Sequence, residues 1–253
     1  VKQTLIFSDV HLRVTEDDRS RQDAFIQFLR SFDPASLDSI ICLGDLFDFW
    51  FEYKQVIFSG YFQTLRALAE FREAGVKLHL VCGNHDFWAG RFLQEGLGMV
   101  IHTEGTTMTF GNKRTYFHHG DGINPRDRGY RIYKRFARNA WVIRGFRLLH
   151  PDWAMRLAQS VSHSSRTMQE AKDPSEGAEA QALRKYAHSL LTNGDADVVL
   201  FGHAHAPLHD VVNTTFGQGH YFNTGDWLTN RSYVLWDGEQ FNLNYYDSAQ
   251  QTP

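Results

Sequence analysis

The sequence predicts a layered α/β sandwich with mixed sheets. Three observations carry this reading. Short β-branched and aromatic runs alternate with helix-patterned stretches through the first half. Hairpin signals take over toward the end. Five of the apolar runs stop abruptly at Asp, Asn or His, usually beside a glycine.

Taken in order, Lys2–Phe7 reads as a strand. Arg21–Phe32 is helical, with Phe25, Phe28, Leu29 and Phe32 on one face, and Ser39–Leu43 is a second strand. Ser59–Ala74 repeats the helical spacing through Phe62, Leu65, Ala69 and Arg72, and Gly75 is placed to end it. Lys77–Cys82 is a strand, and Thr106–Phe110 with Arg114–His118 reads as a hairpin around Gly111-Asn112. Glu179–Leu191 is a helix closed by Asn193-Gly194, and Asp197–Phe201 is a strand. The tail alternates short strands, with turns expected at Gly217–Gly219 and Asp237-Gly238. Ala171–Ala180, with Asp173-Pro174 and Gly177, reads as a flexible connection.

The chain has 253 residues, 42% of them hydrophobic, which suits one large domain or a domain carrying an insertion. No run of about 18 apolar residues occurs, so no membrane-spanning helix is expected. The opening VKQTLIFSD reads as a strand rather than a signal peptide. Cys42 and Cys82 each sit late in an apolar run, which suggests buried thiols in a reducing compartment and no disulfide framework.

The five strand ends are LIFSDVHL, IICLGDLFD, LVCGNHD, TYFHHGD and VVLFGHAH. The carboxyl ends of strands in α/β sheets are where ligands bind, and glycine there lets the backbone turn tightly. Asp9, His11, Asp45, Asn84, His119, His203 and His205 make an oxygen-and-imidazole set without cysteine, which suits Mn²⁺, Fe²⁺ or Zn²⁺. Seven donors exceed the need of one ion and suit two ions sharing a carboxylate. Asp9-x-His11 and His203-x-His205 put alternate side chains on one side of an extended end. Any one of these residues could be an ordinary buried polar group. Five coincident strand ends are too costly in unpaired Asp and His to be merely structural.

These blocks resemble the calcineurin-type metallophosphoesterase superfamily, whose Asp-x-His, Gly-Asp, Gly-Asn-His-Asp, isolated His and Gly-His-x-His motifs occur here in order across residues 9–205. The resemblance implies a four-layer αββα sandwich. It assigns Asp9, His11, Asp45 and His205 to one ion, and Asp45, Asn84, His119 and His203 to a second. It implies in-line attack on phosphorus, with both ions stabilising the charge that develops. His85 would then lie at the phosphoryl group as charge stabiliser or general acid, held by Asp86.

Within that superfamily GDLFDFWFEYK, HHGDGINPRDRGYR, LFGHAHAPL and YFNTGDWLTNRSYVLWDG are similar to the UDP-2,3-diacylglucosamine diphosphatases of lipid A biosynthesis. That family cleaves the UDP–sugar diphosphate, releasing UMP and 2,3-diacylglucosamine 1-phosphate. Its best-known branch carries Arg where this chain has His85, and the subgroup resembled here keeps His. The family pattern also implies substrate contacts from Asn84, Asp127 and Tyr130, and from a serine and basic residues matched by Ser165 and Arg166. Asp121 would lie behind the metals or face the substrate. It further implies two Mn²⁺ ions (or Fe²⁺ or Zn²⁺), a nucleotide-lipid substrate and a peripheral location on the cytoplasmic side of an inner membrane.

Charge gives the insertion a character of its own. The net charge of −3 divides into +8 over Arg126–Arg166 and −11 elsewhere. On a helix over Arg131–Trp141, Tyr133, Phe136, Ala137, Ala140 and Trp141 share one face, and Arg131, Lys134, Arg135 and Arg138 the other. A second apolar stretch follows from Val142 to Leu157. Basic and aromatic faces of this kind lie on anionic membranes or wall an acyl groove. An ordinary helical pair packing on its own domain is the alternative. Nucleic acid is not expected, because the rest of the chain is acidic. We therefore expect a core over 1–122 and 172–248 and a helical lid over 123–171. Phe47, Phe49, Trp50 and Trp88 read as core residues before acyl contacts. The competing functions are a metallophosphoesterase acting on nucleotides or other phosphodiesters, and a binding protein on a retired enzyme fold, which would be expected to have lost ligands. Oligomeric state is not legible.

Overall fold

The computed structural model describes residues 2–157 and 177–247. Ser165, Arg166 and residues 171–176 of the expected flexible connection lie outside them. A six-stranded sheet runs in the order β11 (Phe241–Tyr245), β10 (Ser232–Trp236), β1 (Gln3–Phe7), β2 (Leu37–Cys42), β3 (Lys77–Val81), β4 (Met99–His102). A five-stranded sheet runs β5 (Thr106–Phe110), β6 (Lys113–His118), β7 (Val198–Phe201), β9 (Gly217–Asn223), β8 (Leu208–Thr214). β1 to β4 pair in parallel, as do β6, β7 and β9, and hairpins close three of the four edges.

Alternation along the strands builds the layers. On β1, Leu5 and Phe7 face helices α1 (Arg19–Arg30) and α2 (Phe62–Glu73), while Ile6 faces the other sheet. On β7, Val198 and Leu200 face the first sheet, while Val199 and Phe201 face helix α6 (Ala178–Thr192). Both faces of these strands are buried, so their sequences are continuously apolar rather than alternating. The result is four layers, helix–sheet–sheet–helix. Helix α1 seats Phe25, Phe28 and Leu29 fully buried, each contributing about 1.5–3 kcal/mol of apolar burial. Gly75, at φ +91 with open space around it, ends α2 as expected.

The parallel strands of both sheets point their carboxyl ends to the same side. Backbone pairing of β1 with β2 continues past the strands, through Asp9 N–H to Gly44 O (3.0 Å) and His11 N–H to Asp45 O (2.9 Å). Gly202 N–H donates to His119 O (2.9 Å) and ties the second sheet's two loops together.

Two expectations are corrected, and one strand is added. Gly217–Gly219 is the start of β9, and the turn falls at Thr215-Phe216, where Thr214 Oγ1 bonds Gly217 O and Phe216 N–H. The strand β4 was not foreseen; it is short, and Val100 on it is half exposed. Residues 131–141 are not one helix. Asn139 interrupts them, its side chain accepting from Trp141 N–H (2.9 Å) as N-cap, so that α3 (Arg128–Ala137) ends and α4 (Ala140–Phe146) begins. The described part of α5 covers 151–157.

Candidate metal centre

The loops after β1, β2, β3, β6 and β7 bring the seven predicted donors into one buried cluster. Asp9 Oδ1 lies 3.2 Å from His205 Nε2 and 3.7 Å from His11 Nε2. His11 Nε2 is 3.2 Å from His205 Nε2 and 3.8 Å from Asp45 Oδ2. On the other side, His119 Nε2 lies 3.4 Å from Asp45 Oδ2, 3.1 Å from Asn84 Oδ1 and 3.2 Å from His203 Nδ1. The donors thus fall into two groups that share the Asp45 carboxylate.

Each carboxylate spends one oxygen on the protein and leaves the other for the cluster. Asp9 Oδ2 accepts from Ser8 Oγ and from His203 N–H (2.9 Å), and Asp9 Oδ1 is buried without a hydrogen-bond partner. Asp45 Oδ1 accepts from His85 N–H (2.9 Å), and Oδ2 faces the imidazoles. His119 donates Nδ1–H to Leu43 O (2.7 Å), which leaves the Nε2 lone pair turned inward.

The local backbone is shaped for this convergence. Asp9, His11, Asp45, His203 and His205 all have φ between 50 and 64°, and Arg231 is the one further non-glycine residue in that region among the described residues. Such conformations cost energy and persist where surrounding structure over-determines them, typically at functional sites. Gly83 is required by contact: a Cβ there would stand 2.2 Å from Asp45 Oδ1.

Burial alone would raise the Asp9 carboxyl, and the imidazoles of His205 and His11 outweigh it and hold it well below the usual range. Asp45 is likewise held low against its burial, chiefly by His119 and His85. Burial pushes His11 down to about 4. Burial would also lower His119, but Asp45 more than reverses it, and the imidazole lies well above its ordinary value. The cluster is therefore built around buried negative charge. Asp9, Asp45 and His119 are closed to solvent, while the side chains of His85, His203 and His205 are 19%, 18% and 27% exposed and form the open wall.

His85 sits in that wall with its ring nitrogen Nδ1 on Asp48 O (2.7 Å) and Nε2 3.9 Å from Asp45 Oδ2. The expectation that Asp86 holds it is corrected. Asp86 is turned beneath the loop, accepting from Gly83 N–H (2.7 Å) and Leu46 N–H (3.0 Å), and burial with Asp45 nearby raises its carboxyl to about 7. Three acidic residues behind the imidazoles were missed: Asp48 (3.7 Å from His11 Nδ1), Asp226 (3.8 Å from His205 Nδ1) and Glu179 (3.5 Å from His203 Nε2). Only Asp48 had a legible signal, its place in GDLFD.

The other expected residues lie at the rim. Asp121 Oδ2 accepts from Tyr130 Oη (2.7 Å) and pairs with Lys134 Nζ (2.6 Å), while its Oδ1 is buried without a hydrogen-bond partner. Although burial would raise it, His119 and Lys134 hold Asp121 at about 2. Asp127 caps α3, accepting from Tyr130 N–H (2.9 Å). Phe47 and Trp50 are core residues, whereas Phe49 and Trp88 are partly buried and pack on Phe146 of α4.

The calcineurin-like phosphoesterase family model matches residues 2–207. The chain belongs to that family. Like its members, this calcineurin-like phosphoesterase is a metal-dependent hydrolase. A protein named UDP-2,3-diacylglucosamine hydrolase from Porphyromonas gingivalis is 30% identical over 214 residues, covering 79% of this chain and 80% of that one. One of the same name from Photorhabdus laumondii is 27% identical over 248 residues, covering 92% and 97%. A solved structure of a predicted phosphoesterase from Streptococcus pneumoniae aligns at 15% identity over 96% of this chain and 88% of that one, with a TM-score of 0.42.

The residues of this phosphoesterase fit divalent cations. A buried carboxylate oxygen without a partner, within reach of two imidazole nitrogens, is unfavourable unless a cation completes it. The oxygen-and-imidazole donors match ions of the Mn²⁺, Fe²⁺ and Zn²⁺ kind.

Proposed function

We propose that this phosphoesterase cleaves the diphosphate of UDP-2,3-diacylglucosamine, giving UMP and 2,3-diacylglucosamine 1-phosphate, at an anionic membrane surface. The observation that carries the reading is the joining of a two-group donor cluster to a basic, aromatic helix. Lys134 and Tyr130 of α3 close on Asp121, two residues after His119. The relatives' printed name supplies the substrate.

In this reading Asp9, His11, Asp45 and His205 hold one ion, and Asp45, Asn84, His119 and His203 the other, with Mn²⁺ as the working choice. Ions held there supply Lewis acidity for the attacking water and for the charge developing on the phosphoryl oxygens. His85, fixed through Nδ1, presents Nε2 to the phosphoryl group. Asn84 also reaches the substrate, and Ser165 and Arg166 are further proposed contacts. Asp121, Asp127 and Tyr130 seat the helix that covers the nucleotide-sugar. Burying the site behind that helix would strengthen its electrostatics.

The core is taken as 1–122 with 172–248, and 123–171 as a lid facing lipid. Along it Ile132, Phe136, Trp141, Leu148 and Trp153 are 71%, 64%, 76%, 88% and 66% exposed, interleaved with Arg128, Arg131, Arg135 and Arg144. Exposed apolar surface on this scale beside cationic side chains suits an anionic bilayer. Among the described residues no helix is long and apolar enough to cross one. We place this phosphoesterase peripherally on the cytoplasmic side of an inner membrane, and assign it no role with nucleic acid.

The test is release of UMP from UDP-2,3-diacylglucosamine, with and without Mn²⁺, beside a soluble aryl phosphodiester. Metal-dependent turnover of the lipid far above the diester is expected. Turnover of the diester alone would keep the centre and discard the lipid substrate.

A further inference from the structure

The far nitrogen of each metal-facing imidazole is turned toward an acceptor of the protein. For His119 it is a backbone carbonyl, for His11 it is the carboxylate of Asp48 in the loop after β2, and for His205 it is that of Asp226 in the loop after β9. His203 differs. Its Nε2 faces Glu179 Oε1 at 3.5 Å, and Glu179 belongs to no strand-end loop. It stands in the first turn of α6, where the described chain resumes after the insertion. Its second oxygen accepts from Asn124 Nδ2 (2.7 Å), and Asn124 Oδ1 accepts in turn from Arg126 N–H (3.0 Å), in the loop that leads into α3. Asn124 is buried and Glu179 half-buried.

We propose that Glu179 is a positioning residue for the half of the centre formed by Asn84, His119 and His203, and that it links that half to the loop entering the insertion. The inference rests on the reading of His203 as a metal-holding residue. The argument is one of tautomers. His203 can turn a lone pair inward from Nδ1 only if its proton sits on Nε2, and Nε2 faces the Glu179 carboxylate. A carboxylate behind a ligating imidazole fixes the ring, selects the tautomer and raises its basicity, and removing such a partner typically costs about 10–100-fold in metal affinity. Asn124 keeps the carboxylate from swinging to solvent. The effect should be one-sided, because His11 and His205 have carboxylates of their own.

The experiment titrates Mn²⁺ calorimetrically into the metal-stripped full chain, for wild type, Glu179→Gln, Glu179→Ala and His203→Ala. Wild type should show two sites. Glu179→Ala should weaken one of them about 10–100-fold and leave the other unchanged, with the isosteric Glu179→Gln between, and kcat should fall while KM stays. Glu179→Gln and Glu179→Ala binding both ions like wild type would overturn the proposal, as would equal weakening of both sites. His203→Ala separates the two failures. If it loses a site while the Glu179 variants keep both, only the role of Glu179 falls. If it too binds both ions like wild type, the reading of His203 falls first.

Discussion

Asp45 and His119 meet across the two sheets, Oδ2 to Nε2 at 3.4 Å, one standing just past β2 and the other just past β6. Asp45 Oδ2 also faces His11 Nε2 at 3.8 Å, so the same oxygen serves both groups. A residue shared by both groups should be indispensable to both. Asp45→Ala is expected to lose both ions and nearly all turnover, measured as bound metal per chain after dialysis and as hydrolysis rate. Retention of one ion at full affinity would remove Asp45 from its bridging role.

His85 carries a different expectation. Its Nδ1 is committed to Asp48 O, and its ring stands edge-on to His11 at 4.8 Å between centroids, on the exposed wall of the cluster. His85→Ala should therefore keep its metal and lose about 10²–10⁴-fold in rate, the span usual for an acid–base or charge-stabilising group. Loss of metal along with rate would make it a donor or a structural residue.

The core and the convergence of the seven Asp, Asn and His residues were legible because they obey local rules. A strand buried on both faces is continuously apolar, and a functional strand end stops at a glycine beside Asp, Asn or His. The residues behind the imidazoles were not legible. Glu179 lies 24 positions before His203, and Asp226 lies 21 after His205, so only the folded chain brings them near. The insertion was half legible. Its basic and aromatic content was plain, but the expected division of faces was wrong. Lys134 and Arg138 reach inward to Asp121 and Glu104 with Ala137 buried between them, while Phe136 points out beside Arg131 and Arg135. Amphipathic counting assumes an apolar floor, and the floor beneath α3 includes Asp121 and the indole N–H of Trp88, which donates to Ala137 O (3.1 Å).

His79 on β3 and His102 on β4 face each other, Nδ1 to Nε2 at 3.2 Å. Burial lowers both imidazoles below their ordinary 6.5, and for His79 the neighbouring His102 adds to it. The unfolded chain then binds more protons than the folded one as pH falls through 6.5, so their contribution is full above that value and is lost below it. In metal-stripped protein, Tm should fall from pH 7.5 to 5, and His79→Gln with His102→Gln should flatten that fall. Equal slopes for variant and wild type would mean that the pair does not report on pH.

The outward face of α3 makes the last prediction. Arg128, Arg131 and Arg135 line a groove of about 540 Å³ with Ile132, Phe136 and Asn139, and none of the three arginines belongs to the inward contacts with Asp121 or Glu104. Charge reversal there should leave the helix seated and the donors undisturbed. Arg131→Glu with Arg135→Glu is expected to cut binding to vesicles containing anionic lipid, by about 1 kcal/mol or more per reversed charge, while cleavage of a soluble diester stays at the wild-type rate. Raising the salt should weaken wild-type binding and leave the variant little changed, because exposed charges are screened within about 10 Å at 0.1 M. Unchanged vesicle binding in the variant would return this face to a packing role and remove the membrane from the proposed function.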